Sequence, residues 1–367
     1  MTLFFSSPIG LGHITRDVAI VKEIANLFNY YDFTLITGSK AFDFICTDNY
    51  LSENSKVNVN VNVHNLYSPP EFSIDKGMLK SNFVWLLKYV SYFRKSKGKV
   101  KRLISASGID RKEYPLIITD EDFASLSVGQ DLNIPRILIT DILRTHFIRN
   151  GMFSSIEKYL NNSMCNLIKS SDCVIIPESG DNHDNLFYVG PIVREIKTTR
   201  DELRKRFSFS KFTILVTTGG TSAGDYLTKR ALESFTRLQR RYDCDLVVSS
   251  FSSNISSHRK ENESYMNIGF VNNIHEYVYA ADLVISLAGK STIDESSVYG
   301  TPGIFIPIKN HFEQEARAKE MGFSYEDIDK LDSIMEEYLS GFRLKKEKKV
   351  SNGAASAAKL IAEYLNK

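Results

Sequence analysis

The residues best suited to chemistry lie between Ser286 and Gly322. An apolar strand leads into a turn at Gly289 and then into a short helix that carries Thr292 and Glu295. The N-terminus of such a helix offers backbone N–H groups and a positive dipole end, which suit an anion. A carboxylate one turn into the helix can accept two hydroxyl hydrogen bonds, as a ribose 2′,3′-diol requires. The pattern therefore predicts a pocket for a sugar nucleotide.

The same stretch contains the letters GKST at 289–292, which resemble the end of a phosphate-binding P-loop. That motif requires a first glycine where this chain has Val284, in the middle of a strand. The P-loop NTPases are therefore excluded.

A second glycine loop follows the apolar run at 213–217. Gly219 and Gly220 permit a close approach of the backbone to a ligand, and the hydroxyls of Thr221 and Ser222 can donate to diphosphate oxygens. These four residues are the candidate diphosphate site. An ordinary turn before a helix is the alternative, and the loop by itself does not decide between them.

A further glycine loop, at 10–16, lies close to the N-terminus. It departs from the dinucleotide fingerprint because Thr15 takes the place of the third glycine and no acid ends the following strand. Gly10 and Gly12 allow an acceptor substrate to approach the backbone. His13, at the start of the helix, is the candidate general base, and the helix N-terminus is expected to lower its pKa. Local capping of the helix by His13 is the alternative.

Three acids, Asp120, Glu121 and Asp122, follow the strand predicted at 116–119. Open α/β sheets bind ligands at the carboxyl ends of their strands. Asp120 is therefore a candidate to assist His13 or to bind hydroxyls of an acceptor. A turn followed by a helix cap would explain the same acids.

Length and composition limit the classes of protein that this chain can belong to. Its 367 residues predict two domains. A net charge of +2 gives no case for nucleic-acid binding. The start of the chain is typical of a strand and not of a signal peptide, and no apolar run is long enough to span a bilayer. We expect a cytoplasmic protein with reduced cysteines.

Short apolar runs alternate with helical patterns along the chain. The runs at 2–6, 33–37 and 116–119, and later at 213–217 and 283–286, are examples. Such alternation favours βαβ units and hence two parallel sheets, one in each half of the chain.

The last part of the chain also resembles a known family. The residues that carry the resemblance are Ala288, Gly289, Thr292, Glu295, Gly300, Pro302 and the pair Glu313-Gln314. This pattern resembles the nucleotide-sugar signature of MurG-like glycosyltransferases, family 28. The resemblance implies an α/β, GT-B fold with two Rossmann-like domains facing each other across a cleft. It implies an acceptor-binding domain at 1–192, a nucleotide-sugar domain at 193–351, and a helix at 352–367 that packs back on the first domain.

The resemblance also assigns roles to residues outside the signature. Gln314 would bond hydroxyls of the donor sugar, and Phe270 with Val271 would contact uracil. Arg194 would neutralise charge on the departing UDP. A core position for Phe270 and a surface ion pair for Arg194 are the alternatives. Members of the family act without a metal or cofactor, so a UDP-sugar is the expected co-substrate and no metal is predicted.

The chain departs from the bacterial peptidoglycan enzymes at two positions of the first loop. Leu11 replaces one of their glycines, and Arg16 replaces a proline. These changes point to another acceptor. Arg16 is predicted to contact an acceptor phosphate, with an ordinary surface arginine as the alternative. In the donor half, Arg317 stands where the family has asparagine, which leaves the exact sugar open.

The segment 76–102 carries nine Lys and Arg residues and no acid. One apolar stripe would suffice to pack a helix on a sheet, but Trp85, Tyr89 and Tyr92 form a second one. Aromatic and basic residues together predict an interfacial helix on anionic lipid. A core helix with a solvated basic end is the alternative.

Taken with the resemblance, these features predict an inverting, metal-independent transfer of a sugar, GlcNAc in the first place, from a UDP-sugar. The expected acceptor is linked to a polyprenol or dolichol lipid and presented at the cytosolic face of the membrane. Two alternatives stay open. One is an isomerase like UDP-GlcNAc 2-epimerase, and the other is a non-catalytic subunit that binds nucleotide sugars.

Overall fold

The computed structural model describes residues 2–28, 30–47, 58–106, 116–148, 154–219, 222–249, 264–342 and 350–366. The chain divides into two compact units. The first unit consists of Met1–Phe72, Ser81–Arg194 and Ser351–Lys367, and the second consists of Ser73–Lys80 and Glu195–Val350. The predicted boundaries after 192 and 351 fall within two residues of these divisions. The membership of Ser73–Lys80 in the second unit had no signal in the sequence.

Fourteen strands are found in the described parts of the chain. They are β1 (Thr2–Ser6), β2 (Tyr30–Gly38), β3 (Asn58–Tyr67), β4 (Ile74–Asp75), β5 (Met78–Leu79), β6 (Ile117–Asp120), β7 (Arg136–Ile139), β8 (Cys173–Ile176), β9 (Leu186–Tyr188), β10 (Phe212–Thr217), β11 (Cys244–Ser249), β12 (Tyr265–Asn267), β13 (Leu283–Leu287) and β14 (Gly303–Ile306).

Twelve α-helices accompany them in the same parts. They are α1 (Gly12–Leu27), α2 (Ser39–Thr47), α3 (Asn82–Ala106), α4 (Phe123–Leu132), α5 (Ser154–Lys169), α6 (Arg200–Arg206), α7 (Asp225–Leu238), α8 (Ile274–Ala280), α9 (Lys290–Tyr299), α10 (Phe312–Glu320), α11 (Leu331–Leu339) and α12 (Ala354–Leu365). Among the described residues, no helix has both the length and the apolar character that a membrane span requires.

The first unit is built on a seven-stranded parallel sheet in the order β3-β2-β1-β6-β7-β8-β9. The second unit is built on a five-stranded parallel sheet in the order β12-β11-β10-β13-β14. The central strands are almost entirely buried because helices cover both faces, as parallel sheets require. In each sheet the chain order reverses at one place, between β1 and β6 and between β10 and β13. Ligands bind at such switch points, beyond the carboxyl ends of the strands.

The C-terminal helix α12 belongs to the first unit and packs on α1. Its buried face, including Ala357 and Ile361, joins the core that surrounds Ile14 and Val18 of α1. The start of α12 is fixed by Asn352, whose side-chain amide accepts from the Val193 N–H at 3.2 Å and donates to the Val193 carbonyl at 2.8 Å. This packing holds α1 in place, and with it the first glycine loop.

Candidate active site

The first candidate site lies at the switch point of the seven-stranded sheet. Ser6 at the end of β1 is in register with Asp120 at the end of β6. The chain after β1 turns at Gly10, whose φ of 81° favours glycine, and α1 then begins at Gly12. His13 is the second residue of this helix. The two strand ends therefore bring His13 and Asp120 together although 107 residues separate them in sequence.

His13 forms a hydrogen-bonded pair with Asp120. Its Nδ1 lies 3.0 Å from Asp120 Oδ1, and its Nε2 lies 3.6 Å from Glu121 Oε2. We assign the proton to Nδ1, because the Asp120 carboxylate is an acceptor there, whereas Arg16 Nη2, 3.2 Å from the same nitrogen, already donates to that carboxylate. Nε2 is then a lone-pair nitrogen. The side chain is 17% exposed, enough for a hydroxyl to reach it.

The buried guanidinium of Arg16 contacts both residues of this pair. Its Nε donates to Asp120 Oδ2 at 2.5 Å, its Nη2 donates to Asp120 Oδ1, and its Nη1 donates to Asp141 Oδ1 at 2.9 Å. The bidentate geometry fixes the orientation of the Asp120 carboxylate. The alternative of a surface arginine is wrong, since Arg16 is only 7% exposed. Its contact to an acceptor phosphate stays a prediction.

These charges set the pKa values of the pair. Burial alone would lower the pKa of His13, but the Asp120 and Glu121 carboxylates outweigh it, and the net shift is upward from 6.5. The expectation of a lowered pKa from the helix N-terminus is therefore wrong. Burial would likewise raise the pKa of Asp120, yet Arg16 and His13 bring it well below its ordinary value. Asp120 is thus held as an anion next to a histidine of increased basicity.

The other two acids of the triplet have different roles. Glu121 adopts a φ of 48°, and its Oε1 accepts from Thr140 Oγ1 at 3.1 Å and from the Asp141 N–H at 3.2 Å. Burial and the carboxylate of Asp141 raise its pKa to about 8. Asp122 caps α4 by accepting from the Ala124 N–H at 3.2 Å, and it also accepts the hydroxyl of Tyr67. The cap interpretation therefore applies to Asp122 alone.

One buried acid of this site was not predicted from the sequence. Asp17, one residue after Arg16, is fully buried, and its carboxyl oxygens make no hydrogen bond of ordinary geometry in the described structure, although Asp120 and Ser6 lie nearby. Burial raises its pKa well above the ordinary value, and the nearby Asp120 carboxylate adds to the shift. A signal was available, because this acid directly precedes the apolar run at 18–21 of α1.

The positions of the side chains in this site decide whether a metal ion fits there. Ligand atoms of His13, Asp120 and Glu121 lie within 4.8 Å of one another, which is within the reach of one cation. However, both oxygens of Asp120 already accept from the Arg16 guanidinium. A cation would compete with this arginine for the same carboxylate. The absence of a metal requirement stays a prediction.

The second candidate site follows the strands of the five-stranded sheet. Thr217 at the end of β10 is in register with Ser286 of β13, so the loops of Gly219 and Gly289 leave neighbouring strands at one edge. Gly219 has a φ of 72°. Gly220 and Thr221 lie outside the described residues, and Ser222 begins a single 3₁₀ turn before α7.

The helix after β13 has the predicted form. Gly289 is its N-cap, and α9 then carries a half-buried Thr292 and a buried Glu295. Gly300 ends the helix with a φ of 73°. Lys290, in the first turn, pairs with Asp294 at 3.1 Å. The binding of ribose by Glu295 stays a prediction.

The remaining donor candidates lie after β12 and β14. Gly269 (φ 63°) leads into Phe270, which is 40% exposed, so the alternative of a core phenylalanine is wrong. Val271 beside it is half-buried. Gln314, in the first turn of α10, accepts the Ile308 N–H through Oε1 at 3.0 Å.

Arg194 lies in the first unit and not with these residues. It is 1% exposed, and its guanidinium lies 5.8 Å from the ring centroid of Phe44. A surface ion pair is therefore wrong for Arg194. Its role toward UDP stays a prediction that the burial does not favour.

Helix α3 carries the predicted membrane stripe. Trp85 stacks on Phe72 at 4.4 Å and on Tyr89 at 5.3 Å, and its ring lies 5.0 Å from that of Phe147. This aromatic stripe packs inside the first unit, so its assignment to lipid is wrong. The apolar residues of α3 that are exposed are Val84 and Leu87, each at 48%.

Comparisons with known proteins identify a glycosyltransferase domain in this chain. Residues 213–364 match the glycosyltransferase family 28 C-terminal domain, a stretch that covers most of the second unit and continues into α12 of the first. An uncharacterized glycosyltransferase of Methanopyrus kandleri is 25% identical over 223 residues, which is 58% of this chain and 62% of that protein. The chain thus spans less than two thirds of this archaeal relative.

A second relative comes from Aquifex aeolicus and is named UDP-N-acetylglucosamine--N-acetylmuramyl-(pentapeptide) pyrophosphoryl-undecaprenol N-acetylglucosamine transferase. It is 23% identical over 292 residues, covering 74% of this chain and 77% of the relative. Among solved structures, the glycotransferase of kitacinnamycin superposes with a TM-score of 0.63 at 14% identity, covering 99% of this chain and 98% of that one. At this identity the likeness shows the fold alone, and it confirms the predicted GT-B class of two Rossmann-like domains.

Proposed function

We propose that this chain, which belongs to the MurG-like glycosyltransferases of family 28, transfers a sugar from a UDP-sugar with inversion and without a metal. The observation that carries the proposal is the His13–Asp120 pair at the switch point of the first sheet. The match to the family 28 domain, most of which lies in the second unit, supports a nucleotide sugar as the donor.

In the proposed reaction His13 is the general base. Its Nε2 accepts the proton of an acceptor hydroxyl while that oxygen attacks the anomeric carbon of the sugar. The bond from this carbon to the UDP oxygen breaks, and UDP leaves with the electron pair. Nδ1–H of His13 donates to Asp120 throughout, so the imidazolium forms beside a carboxylate that is already ionised. Arg16 keeps that carboxylate oriented and charged.

The second unit would hold the donor. Backbone N–H groups of the loop at 219–222 and the N-terminus of α9 would bind the diphosphate, and Glu295 would bind the ribose. Gln314 accepts from Ile308 through Oε1, so its amide Nε2 is the end that would donate to a sugar oxygen. We propose GlcNAc as the sugar, since the Aquifex aeolicus relative is named for it.

The acceptor is proposed to be lipid-linked and presented at a membrane surface. Val84 and Leu87 on α3 are exposed, and Lys88, Arg94 and Lys95 on the same helix are exposed as well. Apolar side chains flanked by basic ones bind anionic interfaces. Vesicles of phosphatidylserine and phosphatidylcholine should retain the protein, and Val84→Ser/Leu87→Ser should weaken retention. Leu27→Ser is the matched control, because Leu27 is 47% exposed at the end of α1. Equal retention of the double variant and wild type would remove this proposal.

The catalytic proposal is tested by kinetics with UDP-sugars and lipid-linked acceptors. Thermal shift identifies the donor that binds, and mass spectrometry identifies the lipid product. His13→Ala should then lower kcat by about 10²–10⁴-fold with the donor KM little changed, as for loss of a general base. Exposed His183 provides the matched control, and His183→Ala should keep the wild-type kcat. An unchanged kcat in His13→Ala overturns the base assignment.

One observation favours a second candidate, an isomerase acting at C2 of the UDP-sugar. Such a reaction needs an acid and a base close together, and Glu121, with its pKa raised to about 8, lies 3.6 Å from His13 Nε2. Incubation with UDP-GlcNAc in D₂O and no acceptor separates the two. Deuterium at C2 would assign the isomerase. No deuterium at C2, together with product formed in a parallel incubation that contains an acceptor, would assign the transferase.

A further inference from the structure

A short hairpin in the second unit comes from an unexpected part of the sequence. Ser73–Lys80 belongs to the second unit, although the chain before and after it belongs to the first. Within it, β4 and β5 pair antiparallel, with Ile74 opposite Leu79. The Lys80 N–H donates to the Ser73 carbonyl at 2.8 Å and closes the hairpin. We call these eight residues the 73–80 hairpin.

The hairpin is bonded to the loop that follows β14. The Leu79 N–H donates to the Lys309 carbonyl at 2.9 Å, and the Lys309 N–H donates to the Gly77 carbonyl at 2.9 Å. Both backbone groups of Lys309 are therefore committed to the hairpin. The Lys309 side chain bonds Glu326 Oε1 at 2.9 Å on the other side of the loop.

Two tyrosines also stabilise the contact between the hairpin and the loop that follows β14. The Tyr226 ring lies so close to Gly77 that a Cβ there would be 2.5 Å from it, and Gly77 also has a φ of 75°. Only glycine meets both conditions. The Tyr226 hydroxyl donates to the Pro307 carbonyl at 3.2 Å, and the Tyr325 hydroxyl donates to the Lys76 carbonyl at 2.9 Å.

Ile308, which lies between Pro307 and Lys309, orients the side chain of Gln314. Pro307 is held by Tyr226 and Lys309 by the hairpin, while the Ile308 N–H donates to Gln314 Oε1 at 3.0 Å. A shift of Ile308 would release that oxygen and allow the amide to rotate. The direction in which Gln314 Nε2 points therefore depends on the position of residues 307–309.

We propose that the 73–80 hairpin is a positioning element of the donor site, which aims the amide N–H of Gln314 at an oxygen of the donor sugar by fixing residues 307–309. The inference rests on the proposed function, because it assumes that Gln314 contacts the sugar. Donor recognition then has two separate parts, the binding of the sugar and the binding of UDP. The hairpin governs affinity for the sugar and leaves affinity for the UDP moiety unchanged.

The test compares the binding of UDP with that of UDP-GlcNAc by titration calorimetry in three variants of the whole chain. Gly77→Ala places a methyl group against the Tyr226 ring, and Tyr226→Phe removes only the bond to Pro307. Both should weaken UDP-GlcNAc binding by about 3- to 10-fold, the range for one lost hydrogen bond, while UDP binds as to wild type. Asp75→Asn is the matched control, since Asp75 is exposed in the same hairpin and its side chain pairs with Lys80.

Donor kinetics and hydrogen exchange complete the experiment. The donor KM should rise with kcat little changed, and the amides of Leu79 and Lys309 should exchange faster in Gly77→Ala than in wild type. Wild-type affinity for UDP-GlcNAc in both variants overturns the inference, and so does an equal loss for UDP and UDP-GlcNAc. Wild-type exchange at both amides in Gly77→Ala overturns its structural basis. Failure of the wild-type chain to bind any UDP-sugar overturns the proposed function, whatever the exchange rates are.

Discussion

Replacement of Asp17 by asparagine should stabilise the first unit, and the gain should grow with pH. Asp17 is fully buried, and its oxygens make no hydrogen bond of ordinary geometry among the described residues. Burial, with Asp120 close by, raises its pKa well above 3.8 in the folded chain. The folded state therefore binds this proton more tightly than the unfolded state does. Asparagine has nearly the same shape and carries no proton to lose.

The sign and size of the effect follow from linkage. Below pH 3.8 both states of wild type hold the proton, and Asp17 contributes no pH dependence. Above that pH the unfolded chain loses the proton and the folded chain keeps it. The free energy of unfolding then falls by at most about 1.4 kcal/mol per pH unit until the folded pKa is passed. The difference in unfolding free energy between Asp17→Asn and wild type should therefore increase by up to this amount for each pH unit. Each kcal/mol of this difference corresponds to about 2 °C in Tm.

The chain offers a local probe for this measurement. Its single tryptophan, Trp85, is buried in the same unit as Asp17, so fluorescence reports the unfolding of that unit. Thermal unfolding at pH 5, 6, 7 and 8 should give a Tm difference that increases with pH. Asp43→Asn is the matched control for the loss of a carboxylate, because Asp43 is exposed on α2. A Tm difference for Asp17→Asn that does not change with pH would refute the reasoning, since Asp17 would then be ionised in the folded chain.

Three further predictions concern other parts of the chain. The pKa of His13 is raised above 6.5, and the base must be neutral, so kcat/KM should fall as pH drops through a midpoint above 6.5; a midpoint below it in the pH–rate profile contradicts the assignment. Gly38→Ala places a Cβ 2.1 Å from the Tyr67 carbonyl oxygen and should destabilise the first unit by about 1–3 kcal/mol, as followed by Trp85 fluorescence. Thr199 forms a capping box at the start of α6; Thr199→Ala should cost about 1 kcal/mol in denaturant unfolding followed by circular dichroism, whereas Thr199→Ser should cost little.

The sequence predicted those features whose cause is local. Buried parallel strands are continuous apolar runs, so β1, β6, β10 and β13 were placed nearly as they are found. Glycine turns at the ends of these strands located both candidate sites. Since open α/β sheets bind ligands at the carboxyl ends of their strands, Asp120 and His13 could be assigned to one edge.

Features that depend on distant partners could not be predicted in the same way. Arg16 was expected to face an acceptor phosphate or solvent because its partners, Asp120 and Asp141, lie 104 and 125 residues away. Trp85 was assigned to lipid because nothing near it in sequence shows that Phe72 and Phe147 cover it. Both errors have one physical origin. A long side chain can be buried by segments remote in sequence, and the local pattern then indicates only that it is amphipathic.

The buried charges around Arg16 explain why the first site suits a base. The guanidinium bonds two carboxylates, Asp120 and Asp141. These three charged groups together therefore carry one net negative charge. At neutral pH Glu121, with a pKa of about 8, holds a proton for most of the time and adds little to this excess. Burying such an excess is costly unless a cation is close by.

His13 supplies that cation when it takes a proton. Before reaction the imidazole is neutral, and it contributes one Nδ1–H bond to Asp120 beside the bonds from Arg16. Once Nε2 has accepted a proton from a hydroxyl, the imidazolium and the carboxylates are in balance with Arg16. The upward shift of the His13 pKa expresses the same preference. The site is therefore more favourably charged after proton transfer than before it, which is the property that a general base requires.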